Sequence, residues 1–220
     1  MSASWVVLDK PLPEKENDFN VYFDKIKNGQ QLTQDENTAF LNTQHKFSCY
    51  IAIGAPQVGI DTVANDWLKK QFEAGKYKPE ISFSQLQENM QGYYVLELAT
   101  DKGFNGMYVD LNTDFSCQIM PIIQDCPFEL SKVGNCFASF APNEALIAAA
   151  NFEQAINEYI DENGLISIDE IISKQQQKKY DEPDEEDEDA DDEMQLLPII
   201  SAAKWLQYWG NKGFYIAMEV

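Results

Sequence analysis

The first stretch of the chain carries one strand-like and one helix-like pattern of apolar positions. Ser4 to Leu8 is a short apolar run closed by Pro11 and Pro13, and it predicts a β-strand because proline cannot donate to a central ladder. Between residues 19 and 26, apolar residues recur three and four positions apart. This spacing predicts an amphipathic helix, with Gly29 placed to end it in the left-handed conformation.

Three further patterns follow before residue 75. Thr33 and Glu36 have the spacing of a capping box, in which each side chain satisfies a backbone amide of the other residue, and this predicts a short helix. From Phe47 to Ile53, apolar residues alternate with other residues, which predicts a strand with one buried face. Residues 63–72 return to helical spacing, with Asp61 in position to cap the helix.

The middle of the chain is predicted to be rich in sheet. Tyr93 to Ala99, Gly106 to Leu111 and Ser116 to Ile123 have strand composition. Residues typical of turns separate them at 101–103 and 112–114. We therefore expect a meander of three antiparallel strands.

Two helices are predicted after this sheet. Pro142 suits the first position of a helix, and residues 143–160 carry apolar side chains on one face. Ser167 and Glu170 form a second capping box, which should begin a helix that runs to about Lys179.

The C-terminal stretch predicts one more helix and one more strand, at 194–209 and 213–220. Because strands and helices do not alternate strictly, the sequence predicts an α+β fold with an antiparallel or mixed sheet of about five to seven strands flanked by amphipathic helices. Residues 1–179 are expected to form the main domain, 180–194 an acidic mobile loop, and 195–220 a helix and strand that pack back on it.

Charge changes this picture more than any motif does. The chain has 37 Asp and Glu residues against 16 basic residues, giving a net charge of −21 at pH 7. All of the basic residues are lysine, since the sequence contains no arginine. Direct nucleic-acid binding is not expected, because phosphate recognition relies on positive charge and often on the guanidinium group.

Eleven of the acidic residues stand close together between positions 181 and 193. Like charges repel and this segment has almost nothing apolar to bury, so we expect an extended, mobile loop. A solvated loop is one interpretation of the run, and an electrostatic contact for a basic protein is the other. The candidate partner-binding residues are Asp181, Glu182, Asp184, Glu185, Glu186, Asp187, Glu188, Asp189, Asp191, Asp192 and Glu193.

Catalytic motifs are weak or incomplete. Gly54 to Asp61 has the setting of a phosphate-binding loop, but Ile60 and Asp61 stand where Lys and Ser or Thr are required. His45 lies four residues before Cys49, and nothing in the pattern indicates that the two side chains meet. The sequence therefore predicts no catalytic residues, no cofactor and no enzymatic activity.

Two acidic segments have spacing similar to that of a calcium loop. Between Tyr159 and Glu170 the spacing fits several ligand positions, but Tyr159 replaces the first aspartate. Asp110 to Asp114 has the carboxylate spacing, but Phe115 replaces the glycine of the sharp turn. No metal site is predicted, although weak calcium binding at residues 161–170 stays open.

The four cysteines are scattered without a CxxC pair, and residues 1–18 lack the pattern of a secretory leader. A cytoplasmic protein with reduced thiols is expected, without membrane contact. The first hypothesis is a non-enzymatic acidic inhibitor, an immunity protein or antitoxin that neutralises a basic toxin domain, plausibly a nuclease. Aromatic anchors on the folded body would supply affinity. The alternatives are a phage-type DNA mimic that inhibits host defence and a carboxylate-based metal-binding protein or enzyme.

Overall fold

The computed structural model describes residues 4–78, 80–103, 114–115, 126–133, 138–178 and 192–219. Within these ranges the backbone alone is described at 114, 130, 175–178 and 192–194. The chain divides into two compact units. The larger unit comprises Met1–Lys46 and Gly103–Val220, and the smaller unit is Phe47–Lys102.

The protein is mostly helical. In chain order, the strands and helices are β1 (Ser4–Leu8), α1 (Glu16–Lys27), α2 (Gln34–Leu41), α3 (Ser48–Ala52), α4 (Thr62–Glu73), α5 (Phe83–Asn89), β2 (Asp114–Phe115), α6 (Pro142–Asn163), α7 (Ile168–Lys178), α8 (Asp192–Asn211) and β3 (Tyr215–Glu219). Short 3-10 turns lie at Pro13–Lys15, Leu96–Leu98 and Leu130–Val133.

The predicted sheet of five to seven strands is wrong. β1 pairs antiparallel with β3 from Ser4 opposite Glu219 to Leu8 opposite Tyr215. The two-residue strand β2 lies on the other side of β1. Helices therefore dominate the described ranges, and the α+β class is met only loosely.

Two predicted strands are helical or irregular instead. Residues 48–52 form helix α3, and residues 96–98 form a 3-10 turn. The apolar residues that seemed to alternate also lie four positions apart, and Cys49 and Ile53 are both buried while Ile51 between them is exposed. A short run thus fits either period, and the observed structure buries only two of the four residues that the strand would have buried. The other two meander strands, 106–111 and 116–123, lie outside the described residues.

Most of the predicted helices are confirmed. The capping box of α2 is formed by Thr33 and Glu36, and that of α7 by Ser167 and Glu170. α8 begins before its predicted start and includes Gly210, which was expected to follow it. Helix α5 was not predicted at all. Strands β1 and β3 and helices α1, α4 and α6 lie close to where the patterns placed them.

An aromatic core holds the larger unit together. Trp5 of β1 is 1% exposed and packs nearly parallel to Trp205 of α8, with 6.3 Å between ring centroids. The rings of Phe115 and Phe152 also pack against Trp5, at 5.6 and 6.4 Å. α6 and α8 pack along each other in this unit. Burial of large rings, which bring the most apolar area per side chain, stabilises it.

The smaller unit has its own core. Leu68 of α4, Leu86 of α5 and Val95 are buried together with Val58 and Ala64. Partly buried aromatic side chains, among them Trp67 and Phe72, surround this cluster. In the described part of the chain, none of the helices is long and apolar enough to cross a bilayer.

Candidate functional site

The smaller unit contains an open cavity of about 430 Å³, which we call the aromatic pocket. A ring or an uncharged amide forms most of its wall, and it has no lysine, carboxylate, histidine or cysteine among its described lining residues. The lining residues are Phe47, Tyr50, Asn89, Gln91, Gly92, Tyr93, Tyr94 and Leu96.

Three rings form one side of the pocket. The centroids of Phe47 and Tyr94 are 5.5 Å apart, and those of Tyr50 and Tyr94 are 5.6 Å apart. Phe47 and Tyr50 are nearly parallel, with an interplanar angle of 17° at 6.1 Å. These separations lie within the favourable range for aromatic pairs, so the rings hold one another in place as a contiguous aromatic surface.

Phe47 occupies an unusual backbone conformation. Its φ is 61° and its ψ is 20°, in the left-handed region, immediately before the first turn of α3. Bulky side chains rarely adopt this region, and such residues cluster at functional sites. The side chain is nevertheless 48% exposed, so burial of the ring does not explain the conformation.

Backbone and side-chain hydrogen bonds hold the segment that carries Gly92, Tyr93 and Tyr94. The amide of Val58 donates to the carbonyl of Tyr93, and the amide of Gly92 donates to the carbonyl of Val58, both at 2.9 Å. The side chain of Gln57 donates to the carbonyl of Gly92 at 2.7 Å. Gly92 has a φ of 85°, which suits glycine and lets the chain turn directly before Tyr93 and Tyr94.

Exposed apolar side chains are frequent in the smaller unit. Tyr93 and Phe47 of the pocket are about half exposed, and Ile51 of α3 is 52% exposed. Ile60 and Val63, which do not line the pocket, are also exposed. Singly exposed apolar side chains are normal on protein surfaces, so only Phe47 and Tyr93, which line the pocket, bear on binding there.

The electrostatics around the pocket come from residues beside it. Burial raises the pKa of Tyr77, and the charges of Tyr93 and Glu97 raise it further. Glu97 is exposed and directly follows the lining residue Leu96 in the sequence, although Glu97 does not line the cavity. The ammonium of Lys102 donates to the backbone carbonyl of Glu97 at 2.6 Å. The pocket wall is neutral, with one carboxylate and one ammonium close by.

The polar groups among the described lining residues of the pocket are phenols, carboxamides and the backbone. Nucleophilic catalysis needs a nucleophile within reach of a base, and the described lining residues provide phenols and carboxamides alone. Aromatic faces bind planar, apolar or cationic groups, and carboxamides donate and accept hydrogen bonds.

The acidic residues predicted to bind a partner lie mostly outside the described residues. Residues 181–191 are among those not described, and the backbone of Asp192 and Glu193 begins α8. Carboxylates in the first turn of a helix are favourable because its free amides carry partial positive charge. The role of the acidic run in partner binding stays a prediction.

The glycine-rich turn at 54–61 binds its own side chains. The amide of Gln57 donates to the carboxylate of Asp61 at 2.6 Å, and the amide of Gly59 donates to the side-chain oxygen of Asn65 at 2.8 Å. The prediction that the side chain of Asp61 caps α4 is therefore wrong, and this side chain instead holds the preceding turn. Amides engaged in this way are not available to phosphate.

The other chemical candidates are also accounted for. The carboxylate of Glu170 accepts from the amide and hydroxyl of Ser167, and these bonds lower the pKa of Glu170. Across the described ranges there is no group of three or more potential metal ligands. Cys49 is buried, and the amide of His45 donates to the carbonyl of Lys10. Residues 110–113 lie outside the described part.

The aromatic pocket was not predicted from the sequence. Phe47 and Tyr50, and Tyr93 and Tyr94, were assigned to two strands, which would have directed neighbouring rings to opposite faces. No family model matches the chain, and neither curated proteins nor solved structures include a significant match to it. The four aromatic residues in two short segments were the signal that could have located the pocket.

Proposed function

We propose that this chain is a non-enzymatic binding protein that engages a basic protein partner. The observation that carries the proposal is the aromatic pocket, which has exposed rings and no described catalytic side chain, in a chain with a net charge of −21. A neutral aromatic anchor combined with a strongly acidic chain suits association with a cationic surface.

The two features have different physical roles. Long-range attraction accelerates the encounter of oppositely charged proteins and falls steeply with ionic strength. Aromatic side chains that become desolvated at the centre of an interface slow dissociation. On this proposal the acidic residues, including the run at 181–193, set the association rate, and the aromatic pocket sets the lifetime of the complex.

The specific role that we propose is that of an immunity protein or antitoxin. Such a protein remains in the cytoplasm and occupies a basic toxin domain, plausibly a nuclease whose nucleic-acid groove is positively charged. Dense carboxylates would compete for that groove with the phosphates of the nucleic acid. This role requires binding and no catalysis, in agreement with the character of the pocket.

Co-purification from the native host, followed by kinetic measurement on the recombinant partner, tests the proposal. We expect a basic partner whose association rate falls as salt increases. A variant with Asn and Gln in place of the eleven acidic residues of 181–193 keeps the loop length and removes its charge. Its association rate should fall by about tenfold or more, while its dissociation rate changes little.

The matched control for loop charge is a measurement at high salt. There the wild-type protein and the neutralised variant should associate with the partner at similar rates, because salt screens the loop charge. A partner that is neutral or acidic, or an association rate indifferent to salt, would contradict the proposal. An unchanged association rate in the neutralised variant, with a salt-dependent wild type, would remove the run from the mechanism and keep the basic partner.

A further inference from the structure

We propose that the aromatic pocket receives an arginine side chain of the basic partner, whose guanidinium group stacks on the surface formed by Phe47, Tyr50 and Tyr94. The inference rests on the proposed function, since it assumes a cationic protein partner. It adds the chemical group that the pocket selects, and it can fail while the proposed function stands.

The geometry of the rings suits a planar cation. Phe47 and Tyr50 lie within 17° of parallel, and Tyr94 is tilted by about 40° to both. A flat guanidinium can stack on such rings by combined π-stacking and cation–π attraction, whereas the compact ammonium of lysine is more strongly hydrated and cannot stack. The cavity volume of about 430 Å³ exceeds that of a water molecule, about 30 Å³, by more than tenfold, so a long side chain can enter.

The polar wall suits a group with many donors. Asn89 and Gln91 line the pocket, both residues are exposed, and each carries a carboxamide oxygen that can accept a hydrogen bond. A guanidinium has five N–H donors and no acceptor, so it can stack and donate to these oxygens at once. A proline ring would stack but leave the carboxamides without a partner from the ligand.

The chain contains no arginine, so an arginine in the pocket must come from another protein. Since all of its basic residues are lysine, neither this chain nor a second copy of it can supply a guanidinium. A pocket selective for arginine would therefore not be filled by its own chain, even at high concentration. The net charge of −21 attracts arginine-rich surfaces to the same molecule.

The test compares hexaarginine and hexalysine as probes for the full-length protein by calorimetry, at about 0.1 M and about 1 M salt. The two peptides carry equal charge, so attraction by the acidic residues is common to both, and at 1 M it is screened beyond about 3 Å. We expect hexaarginine to bind more tightly than hexalysine, and the preference to persist at high salt. Phe47→Asn and Tyr94→Ser should weaken hexaarginine binding by about three- to tenfold with little effect on hexalysine.

Val63→Ser is the matched control, because Val63 is exposed in the same unit and does not line the pocket. Circular dichroism verifies that each variant is folded, and Tyr94→Ser provides a second variant that removes a ring of the proposed surface. Equal binding of the two peptides, or variants that bind hexaarginine like the wild type, would overturn the arginine pocket.

The remaining outcomes separate this inference from the proposed function. Salt-dependent binding of both peptides without arginine preference leaves the basic partner in place and rejects the pocket's role. Tighter binding of decaproline than of hexaarginine, lost in Phe47→Asn, would assign the pocket to a polyproline ligand. Dimerisation in analytical ultracentrifugation that Phe47→Asn abolishes would assign it to a second copy. Absence of binding by either cationic peptide at low salt would contradict both proposals.

Discussion

At the scale of single residues, Phe47 combines an exposed ring with a left-handed backbone. Asn tolerates this region better than most residues other than glycine, whereas a β-branched side chain tolerates it poorly. We therefore predict that Phe47→Val lowers the free energy of unfolding by about 1 kcal/mol more than Phe47→Asn, although both remove the ring. Urea titration followed by circular dichroism measures the difference.

Tyr50 provides the control for this prediction, because it lies inside α3 with an ordinary helical backbone. Tyr50→Asn and Tyr50→Val should not reproduce the preference for Asn, since neither Val nor Asn is favoured in a helix. A larger loss for Phe47→Asn than for Phe47→Val would mean that residue 47 is not held in the left-handed region in solution.

A second prediction concerns Glu36 in the capping box of α2. Hydrogen bonds from Lys25 and then from Thr33 lower the pKa of Glu36 from 4.5 to about 2. A carboxyl whose pKa is lower in the folded state stabilises the fold above its unfolded pKa, and this contribution is lost on acidification. We predict that the free energy of unfolding contains a decrease between about pH 4.5 and pH 2 that Glu36→Gln removes.

The measurement is a series of urea titrations from pH 6 to pH 2 on both proteins. Gln is the suitable replacement because its side-chain oxygen can still accept from Thr33, so the cap is kept and the charge is lost. The difference in stability between the two proteins should be constant above pH 5 and shrink below pH 4.5. A difference that grows on acidification has the wrong sign and would contradict the pKa assignment.

At the scale of secondary-structure elements, α6 and α8 approach each other closely at Gly210. A Cβ atom at this position would lie 3.1 Å from the backbone oxygen of Pro142 and 2.9 Å from Leu146. Overpacking of this kind costs about 1 to 3 kcal/mol. We predict that Gly210→Ala lowers the free energy of unfolding, even though Ala favours helix over Gly by about 1 kcal/mol.

Gln207 supplies the control in the same helix, since it is exposed and Gln207→Ala should leave stability nearly unchanged. Shortening Leu146 in the double variant should not restore stability, because the contact with the carbonyl of Pro142 remains. Thermal unfolding of the single and double variants checks both statements. A Gly210→Ala protein more stable than the wild type would show that the two helices are further apart than described.

Helices with caps were the elements that the sequence predicted well. Thr33 with Glu36, and Ser167 with Glu170, combine a cap with apolar positions of helical period, and two independent signals agree there. The same signal stands at Ser82 and Gln85, which form the capping box of α5, and it was overlooked because few apolar residues follow. Local sequence signals are therefore sufficient to locate these helices.

Short apolar runs were not predictable in this way. The segments at 47–53 and 93–99 satisfy both a strand and a helix period, and tertiary packing decides between them. The aromatic pocket depends on this decision, because it joins residues of both segments. From the sequence we could expect aromatic anchors and acidic charge to take part in partner binding. The sequence did not indicate which rings would meet in the folded protein.

At the scale of the whole molecule, the net charge of −21 acts on folding as well as on partners. Self-repulsion of like charges destabilises the compact state, and salt screens it. We predict that raising salt from about 0.01 M to about 0.15 M, which shortens the screening length from about 30 to 8 Å, increases the free energy of unfolding. Urea titration measures this, because urea adds no ions.

The variant with a neutral loop at 181–193 isolates the part of this effect that arises from the acidic run. It should be more stable than the wild type at low salt and gain less from added salt. Stability that decreases with salt would show that attractive ion pairs, such as Lys25 with Glu36, outweigh the repulsion.

The pairing of β1 with β3 has a consequence for synthesis in the cell. Trp5 lies opposite Met218, about 210 residues later in the chain. At about 5 to 20 residues per second, the ribosome needs roughly 10 to 40 s to supply the second strand after the first. During this delay the hydrophobic face of the nascent strand lacks its final neighbours. We therefore expect chaperones that shield apolar segments to bind this strand.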